Sequence, residues 1–293
     1  MGKYTWPWSA ISPPTVYPGN AGQSGVTVTL NLVSKYEDRL GNKVDWNGGN
    51  DLQAKMAFDL KMASLDYRFS QTVVGNLMRW NSEFPKLQLW QDSGNGPGAD
   101  VNTCYGGFWL HKLYPEEISE SVWRKVPNST LYQLNEAYLN YAEALNELSE
   151  GEVYHLKTYS NEDVEIKRDE DEMRYAIKRI RMRAGVPDYT NETYKNQADF
   201  RVKLKRERQV ELLGENSMRY FDLRRWKDAL TEENQLLQGC NINISDDDTY
   251  IADFYKETPV SSVHKVFEQR MYLFPFPTYE LKRNVNLTQN PGW

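Results

Sequence analysis

Through the second half of this chain, apolar residues recur every three or four positions. The first half shows no such rhythm. Leu131, Leu134, Tyr138, Tyr141, Ala142, Leu145 and Leu148 mark one face, and Gly151 follows. That spacing predicts an amphipathic helix over 131–148. Small Ala137, Ala142 and Ala144 leave room for a second helix to approach closely. Met173, Ala176, Ile177 and Ile180 predict that second helix over 173–184, stopped by Gly185 and Pro187. Residues 198–213 predict a third helix and 220–230 a fourth. The run NEDVEIKRDEDE at 161–172 reads as a solvated loop or a first helical turn.

Ahead of residue 128 the pattern is broken by Gly, Pro and Asn, as in TWPWSAISPPTVYPGNAGQSG at 5–25, NGGN at 47–50 and QDSGNGPGAD at 91–100. Such punctuation predicts long irregular loops between short elements. Val26, Val28, Leu30 and Leu32 alternate, which fits a strand or an extended lead into a helix over 32–40 that stops at Gly41. QTVVGNLMRW at 71–80 and FPKLQLW at 84–90 read as short strands. Residues 231–270 read as loop with one acidic patch, SDDD at 245–248. Pro275, Pro277 and Pro291 among Leu273, Phe274 and Phe276 predict an extended strap over the core.

The 293 residues suffice for one large domain or two small ones, with a sizeable core. Net charge is −6 with a pI near 5.3, and no basic stripe supports nucleic-acid binding. No apolar run reaches the roughly 18–20 residues of a membrane helix. Cys104 and Cys240 lie far apart, in no metal-like spacing, and read as two unrelated thiols, with a disulfide open if the chain is exported. His111, His155 and His264 are scattered, so no metal site and no cofactor is expected. There is no GxSxG, no P-loop and no GxGxxG opening a helix. QDSGNGPGAD lacks the glutamate of an EF-hand loop and reads as a surface turn.

The third and fourth helices carry a charged cluster: Arg206, Glu207, Arg208, Glu211, Arg219 and Asp222. Glu207 and Glu211 are four apart and share a helical face. Paired carboxylates about 5–9 Å apart serve glycosidases. Interleaved arginines, however, depress carboxylate pKa values, the wrong direction for a general acid. The cluster therefore reads as a structural salt-bridge network, with Arg219 and Asp222 tying the fourth helix to the third and Trp226 capping the apolar side.

Seven of the nine Trp fall in the first 123 residues. Aromatic rings give rigid, low-entropy contact area for the apolar faces of sugars, and Asn, Asp and Gln hydrogen-bond hydroxyls. Loops carry such sites more often than regular elements do. Trp6, Trp8, Tyr17, Trp46, Asn47, Trp90 and Tyr105 are the ligand-binding candidates on this ground. Trp80, Trp109 and Trp123 sit in apolar runs and read as core.

Five segments, in order, resemble the SusD/RagB family of outer-membrane glycan-binding lipoproteins of Bacteroidetes. They are PPTVYPGNAGQSGVTVTLNLVSKYEDRLGNKVDW at 13–46, LDYRFSQTVVGNLMRW at 65–80, LNEAYLNYAEALNEL at 134–148, RERQVELLGENSMRYFDLRRW at 206–226 and the tail LFPFPTYELKRNVNLTQNPGW. The resemblance implies a mainly α, SusD-like fold of tetratricopeptide-type helix pairs, long irregular loops and a few short strands. It divides into a loop-rich part over 1–127 and a helical signature part over 128–293, within one continuous domain. The chain carries no signal peptide and no cysteine near its start, so it is expected to match about the C-terminal half of such a protein, as a fragment or a short gene product. Membrane attachment would then need a lipid anchor missing from this chain.

By the same resemblance, the function is non-catalytic capture of an oligosaccharide or polysaccharide at the outer face of the cell outer membrane. Delivery to a SusC-like TonB-dependent transporter would follow. The binding region carried over is 1–60 and the 91–109 loop. Two rivals remain at this point: a helical-repeat interaction module without a small ligand, and a glycoside hydrolase built on Glu207 and Glu211. A single helix pair cannot bury its apolar face, so the 131–148 helix is expected to leave apolar surface exposed.

Overall fold

The computed structural model describes residues 27–44, 46, 62–80, 85–90, 106–112, 131–215, 218–244, 254–260 and 265–293. In the first of these stretches the irregular loops are pinned by very short elements. Strand β1 (Thr27–Val28), helix α1 (Leu30–Val33), helix α2 (Tyr67–Thr72) and strands β2 (Val73–Gly75) and β3 (Phe108–Leu110) follow in order. The alternating segment at 26–32 thus supplies both a strand and the start of a helix. The strands form an antiparallel sheet of order β1-β3-β2, in which Trp109 faces Thr27 on one side and Val74 on the other. Segment 71–80 gives a helix end and a strand. Within 85–90 no strand forms, although Leu87 exchanges backbone hydrogen bonds with Leu77 and Met78. Phe69, Phe108, Trp46, Tyr36 and Tyr255 pack edge-on or tilted around this sheet.

The helical half follows the sequence pattern more closely. Helix α3 (Leu134–Asn146) leads to an antiparallel hairpin, β4 (Val153–Lys157) and β5 (Asp163–Lys167). The charge run at 161–172 therefore holds strand β5 in its middle and the first turn of the next helix at its end, with irregular residues between. Both strands are largely solvent-facing, so only Tyr154, Val164 and Ile166 carry a weak apolar alternation. Helix α4 (Glu170–Arg183) is the best-specified element. Asp169 caps it by accepting from Asp171 N and Glu172 N at 3.0 Å. Three acids sit in its first turn and two arginines in its last, matching the helix dipole. Gly185, at φ +75°, then closes it: Val186 N donates to Arg181 O and Gly185 N to Met182 O, a Schellman stop. Met173, Ala176, Ile177 and Ile180 are all buried, as the spacing predicts.

Helix α5 (Asn191–Lys195) precedes α6 (Gln197–Glu211), α7 (Met218–Arg225) and α8 (Ala229–Glu232). The fourth helix of the sequence reading is split, because Lys227 takes a left-handed conformation at φ +62°. Two-residue strands β6 (Gln238–Gly239) and β7 (Thr258–Pro259) pair with each other. Otherwise the described residues of 231–270 are mainly irregular, apart from the end of α8 and the start of the 3-10 turn at 269. The SDDD patch lies outside the described residues.

On α3 the inward face is Leu139, Ala142 and Leu145. Leu134 and Tyr141, like Leu131 ahead of the helix, are exposed, in keeping with the apolar surface expected on the 131–148 segment. Leu139 is 0% exposed and Leu134 is 68% exposed. The tail is not simply extended: Leu273, Phe274 and Phe276 lie on the surface, around a short 3-10 turn (Gln269–Tyr272) and helix α9 (Thr278–Arg283). Its turns are held by polar bonds, Asn290 to Phe274 O, Gln289 to Phe276 N and O, and Trp293 Nε1 to Arg270 O. Cys240 is buried beneath Gly107, and Cys104 lies outside the described residues.

The first core is not closed by the first half alone. Val210, Cys240, Ile242, Phe254 and Tyr255 complete it. A second core gathers Leu139, Ile177, Tyr194, Phe200 and Leu204 between α3, α4, α5 and α6.

Candidate functional site

Helix α6 alternates acids and arginines on its inner face, so burying that face requires partners for both signs. Arg68, on α2, supplies the largest share. Its guanidinium reaches Asp66 at 2.8 Å, Glu207 at 2.7 Å and Glu211 at 2.9 Å. Arg181, on α4, bridges Glu207 at 2.8 Å and Glu37 at 2.9 Å. Arg206 adds a second ion pair to Glu37, and Arg183 one to Glu211. Asp66, Glu37, Glu207 and Glu211 thus face Arg68, Arg181, Arg183 and Arg206, and the charges balance.

Balance decides the chemistry. Burial pushes the Glu207 carboxyl up, but the Arg68, Arg181 and Arg206 guanidiniums outweigh it and hold the pKa at about 2. Glu211 is likewise lowered against burial, by Arg68, Arg183 and a hydrogen bond from Asn135. Burial wins at Asp66, whose pKa is raised despite Arg68. Tyr189 donates a further bond to Glu207 at 3.1 Å. This buried carboxylate is held ionised well below the usual range and is occupied by three donors, Arg68, Arg181 and Tyr189. Its ion pairs join α2, α4 and α6.

A second set ties α3 to α6 and α7. Arg208 grips Asp222 with two bonds, at 3.0 and 3.1 Å, and also donates to Asn140. Arg225 and Trp226 Nε1 both donate to Glu143. Burial raises the Glu143 pKa, but these two donors outweigh it and lower the pKa on balance. Trp226 is thus a polar clamp, ringed by Lys205, Arg208 and Arg225, and not an apolar cap. Asp222 joins the fourth helix to the third as expected. Arg219 does not: it turns to Glu232 on α8 at 2.7 Å.

The outer face of α6 forms one wall of a surface groove made of two adjoining clefts, of about 520 and 1000 Å³. The opposite wall is α1 with Lys35, and the floor is Arg219, Glu232 and Gln235. Lys35, Asn31 and Gln209 border both clefts. The smaller cleft is apolar toward Leu110, Leu212 and Leu237. The larger is more polar and carries Lys43, Lys203, Gln238 and Glu257. Asn31 builds this wall: its Nδ2 donates to Leu236 O at 3.1 Å and its Oδ1 accepts from Gln238 N at 2.6 Å. No aromatic side chain among the described residues lines either cleft.

The aromatic candidates divide sharply. Trp46 is 4% exposed and Trp90 is 7% exposed, both within the first core, so neither offers a ring to a ligand. Flanking Gly, Pro and Asn marked them as loop residues, but a loop can plug a core with its one large side chain. Trp80 and Trp109 are buried as expected. Trp6, Trp8, Tyr17, Asn47 and Tyr105 lie outside the described residues, as does Trp123. Lys43 and Val44, which line the larger cleft, stand four and three positions before Asn47 in the sequence. The groove residues Lys35, Lys203, Gln209 and Gln238 escaped sequence reasoning because they belong to no motif and come from three separate elements.

Among the described residues, no group of three or more His, Cys, Asp or Glu is placed to hold a metal ion, and no helix is long and apolar enough to cross a membrane.

The model of the SusD family matches residues 6–293. No curated protein matches the chain. Among solved structures, a SusD-like protein from Bacteroides fragilis aligns with a TM-score of 0.66 and 20% identity, over 94% of this chain and 48% of its own. The protein BT4246 aligns with a TM-score of 0.70 and 23% identity, over 93% and 45%. A SusD-like carbohydrate-binding protein from Bacteroides fragilis aligns with a TM-score of 0.64 and 19% identity, over 89% and 48%. The chain spans about half the length of these structures.

Proposed function

The chain belongs to the SusD family, and from that premise we propose that it binds an oligosaccharide without chemically altering it. The observation that carries this reading is the family match itself, which runs through the loop-rich part as well as the helical signature. A family relative of the same fold is a carbohydrate-binding protein. The state of the acid pair agrees, because Glu207 and Glu211 are held ionised by arginines and committed to structure. Binding is assigned to the segments carrying Trp6, Trp8, Tyr17, Asn47 and Tyr105 and to the groove. The parent protein works at the outer face of the outer membrane and passes its ligand to a SusC-like TonB-dependent transporter. Residues 1–127 and 128–293 act as one domain, a reading supported by Val210 and Tyr255 completing the first core.

Affinities of such sites fall in the micromolar-to-millimolar range, about 4–8 kcal/mol. The test is calorimetric titration of the chain with a panel of neutral and charged oligosaccharides. Saturable heat with at least one of them is the expected result. Flat titrations across the whole panel overturn the reading.

A second reading, a protein-interaction module, has one observation in its favour. Leu131, Tyr132, Leu134 and Tyr141 leave apolar surface on and beside α3. Co-purification of a barrel partner by a chain that binds no glycan decides for it.

A further inference from the structure

The groove is cationic where the protein as a whole is acidic. The protein's net charge is −6. Along the groove, Arg206, Arg208 and Arg219 each face an acid, as do Lys112, Lys205 and Lys265. Lys35, Lys43 and Lys203 face none among the described residues. Lys35 stands on the ridge common to both clefts, and Lys43 and Lys203 line the larger one. Lys203 has only the Tyr189 ring, 5.4 Å away.

Two of the groove's acids also lack a cation, and neither cancels these lysines. Asp199 sits in the first turn of α6, where the amide dipoles already offset its charge. Glu257 is exposed to water.

Two further features mark the groove as a place that accepts a ligand. Arg219, on its floor, is short of compensation: burial lowers its pKa, and Glu232, Asp222, Glu233 and Asp228 only partly offset that. Gln238 Oε1 is buried on the larger cleft with no hydrogen-bond partner among the described residues. A buried acceptor of that kind calls for a donor such as a hydroxyl.

We propose that this groove binds an anionic oligosaccharide, with carboxylate or sulfate groups on Lys35, Lys43 and Lys203 and a sugar hydroxyl on Gln238 Oε1. The inference rests on the glycan-binding reading and narrows it to acidic sugars. Uronates and sulfate esters share the required chemistry: an anion of modest size carried on a hydroxyl-rich ring. Charge-assisted hydrogen bonds to ammonium groups are stronger than neutral ones and weaken with salt.

The experiment titrates the chain with hexagalacturonate, a chondroitin sulfate hexasaccharide and neutral maltohexaose, at low and at high sodium chloride. It then repeats the series with the triple variant Lys35→Ala, Lys43→Ala, Lys203→Ala. All three lysines are at least partly solvent-facing, so the variant is expected to fold, and a thermal melt checks this. At least one anionic probe is expected to bind more tightly than maltohexaose, to weaken with salt, and to lose about tenfold in the triple variant. Which of the two binds identifies the source of the anion. Single Gln238→Leu, which removes only the acceptor, is expected to weaken the same probe without changing the salt dependence.

Maltohexaose binding as tightly as either anion overturns this inference and leaves the proposed function standing. So does anion binding that the folded triple variant retains in full. Silence from all three probes overturns this inference, while the proposed function falls only with flat titrations across the whole panel.

Discussion

Arg68 Nη1 donates to Glu207 Oε1 at 2.7 Å, across 139 residues of sequence. Neither side chain reaches water to any extent, and each has further partners of opposite sign. A pair of this kind contributes little net stability when intact, because both ions were stripped of water to form it. Breaking it is another matter, since the survivor is left charged and buried.

Glu207→Gln is therefore expected to destabilise the fold by about 3–5 kcal/mol, measured by urea denaturation. The wild-type protein should also weaken in acid. The folded pKa of Glu207 lies at about 2, below its ordinary 4.5. Its contribution is thus fully present above pH 4.5 and is lost as pH falls toward 2. Glu211 and Glu143 have the same sign, whereas Asp66, raised, opposes them. Denaturation midpoints that stay constant from pH 5 down to 2 would contradict this assignment.

The phase of helix 134–146 is open to a paired test. Leu139→Ala removes a side chain from the second core and should cost about 2–5 kcal/mol. Leu134→Ala, on the exposed side, should stay within about 0.5 kcal/mol. Equal losses at the two positions would show that the Leu134 face is covered in solution.

Gly185 carries two demands at once. Its φ is +75°, and a Cβ there would meet the Tyr67 ring at 2.4 Å. The Tyr67 backbone is pinned there by its N–H donating to Ala184 O at 3.0 Å, and the Arg39 guanidinium packs over its ring at 5.4 Å, so relief requires the ring to leave that contact. Gly185→Ala should cost at least about 2–3 kcal/mol. Adding Tyr67→Ala should return the steric part and leave the backbone part, so the double variant melts between the two singles if each part is real.

Asn31 holds the 236–238 wall of the groove by two hydrogen bonds. Asn31→Ala should lower global stability by only about 1–2 kcal/mol. Amide exchange at Gln238, whose N–H loses its acceptor, should rise much more than exchange in helix 170–183. Unchanged protection at Gln238 would mean that the wall stands without Asn31.

Some of this structure is legible in the chain and some is not, for identifiable reasons. Helix 170–183 reads correctly because cap, dipole and apolar spacing agree. Helix 134–146 is found, but its inner face is not singled out, since Leu131 and Tyr141 fit the same spacing as that face and Leu139 was left out. The hairpin at 153–167 hides because two solvent-facing strands need little apolar residue. The ion network is visible as a charged motif on helix 197–211. Its partners Glu37, Asp66 and Arg68 carry no local sign of their role. Loop composition told correctly where Trp46 and Trp90 lie in sequence, but not that they point inward. The groove lysines are joined only by tertiary structure.

The spacing of the ion network also sets an order of events during synthesis. Arg68 meets Asp66 almost at once, but its other two acids follow 139 and 143 residues later, and Glu37 waits 144 residues for Arg181. The first sheet therefore leaves the ribosome with Glu37 and part of the Arg68 guanidinium still waiting for their buried partners, and its core lacks Val210 and Tyr255. It cannot settle until the helices that identify the family have emerged. A chain stalled near residue 190 should thus be a substrate for chaperones, and one completed past 255 should not.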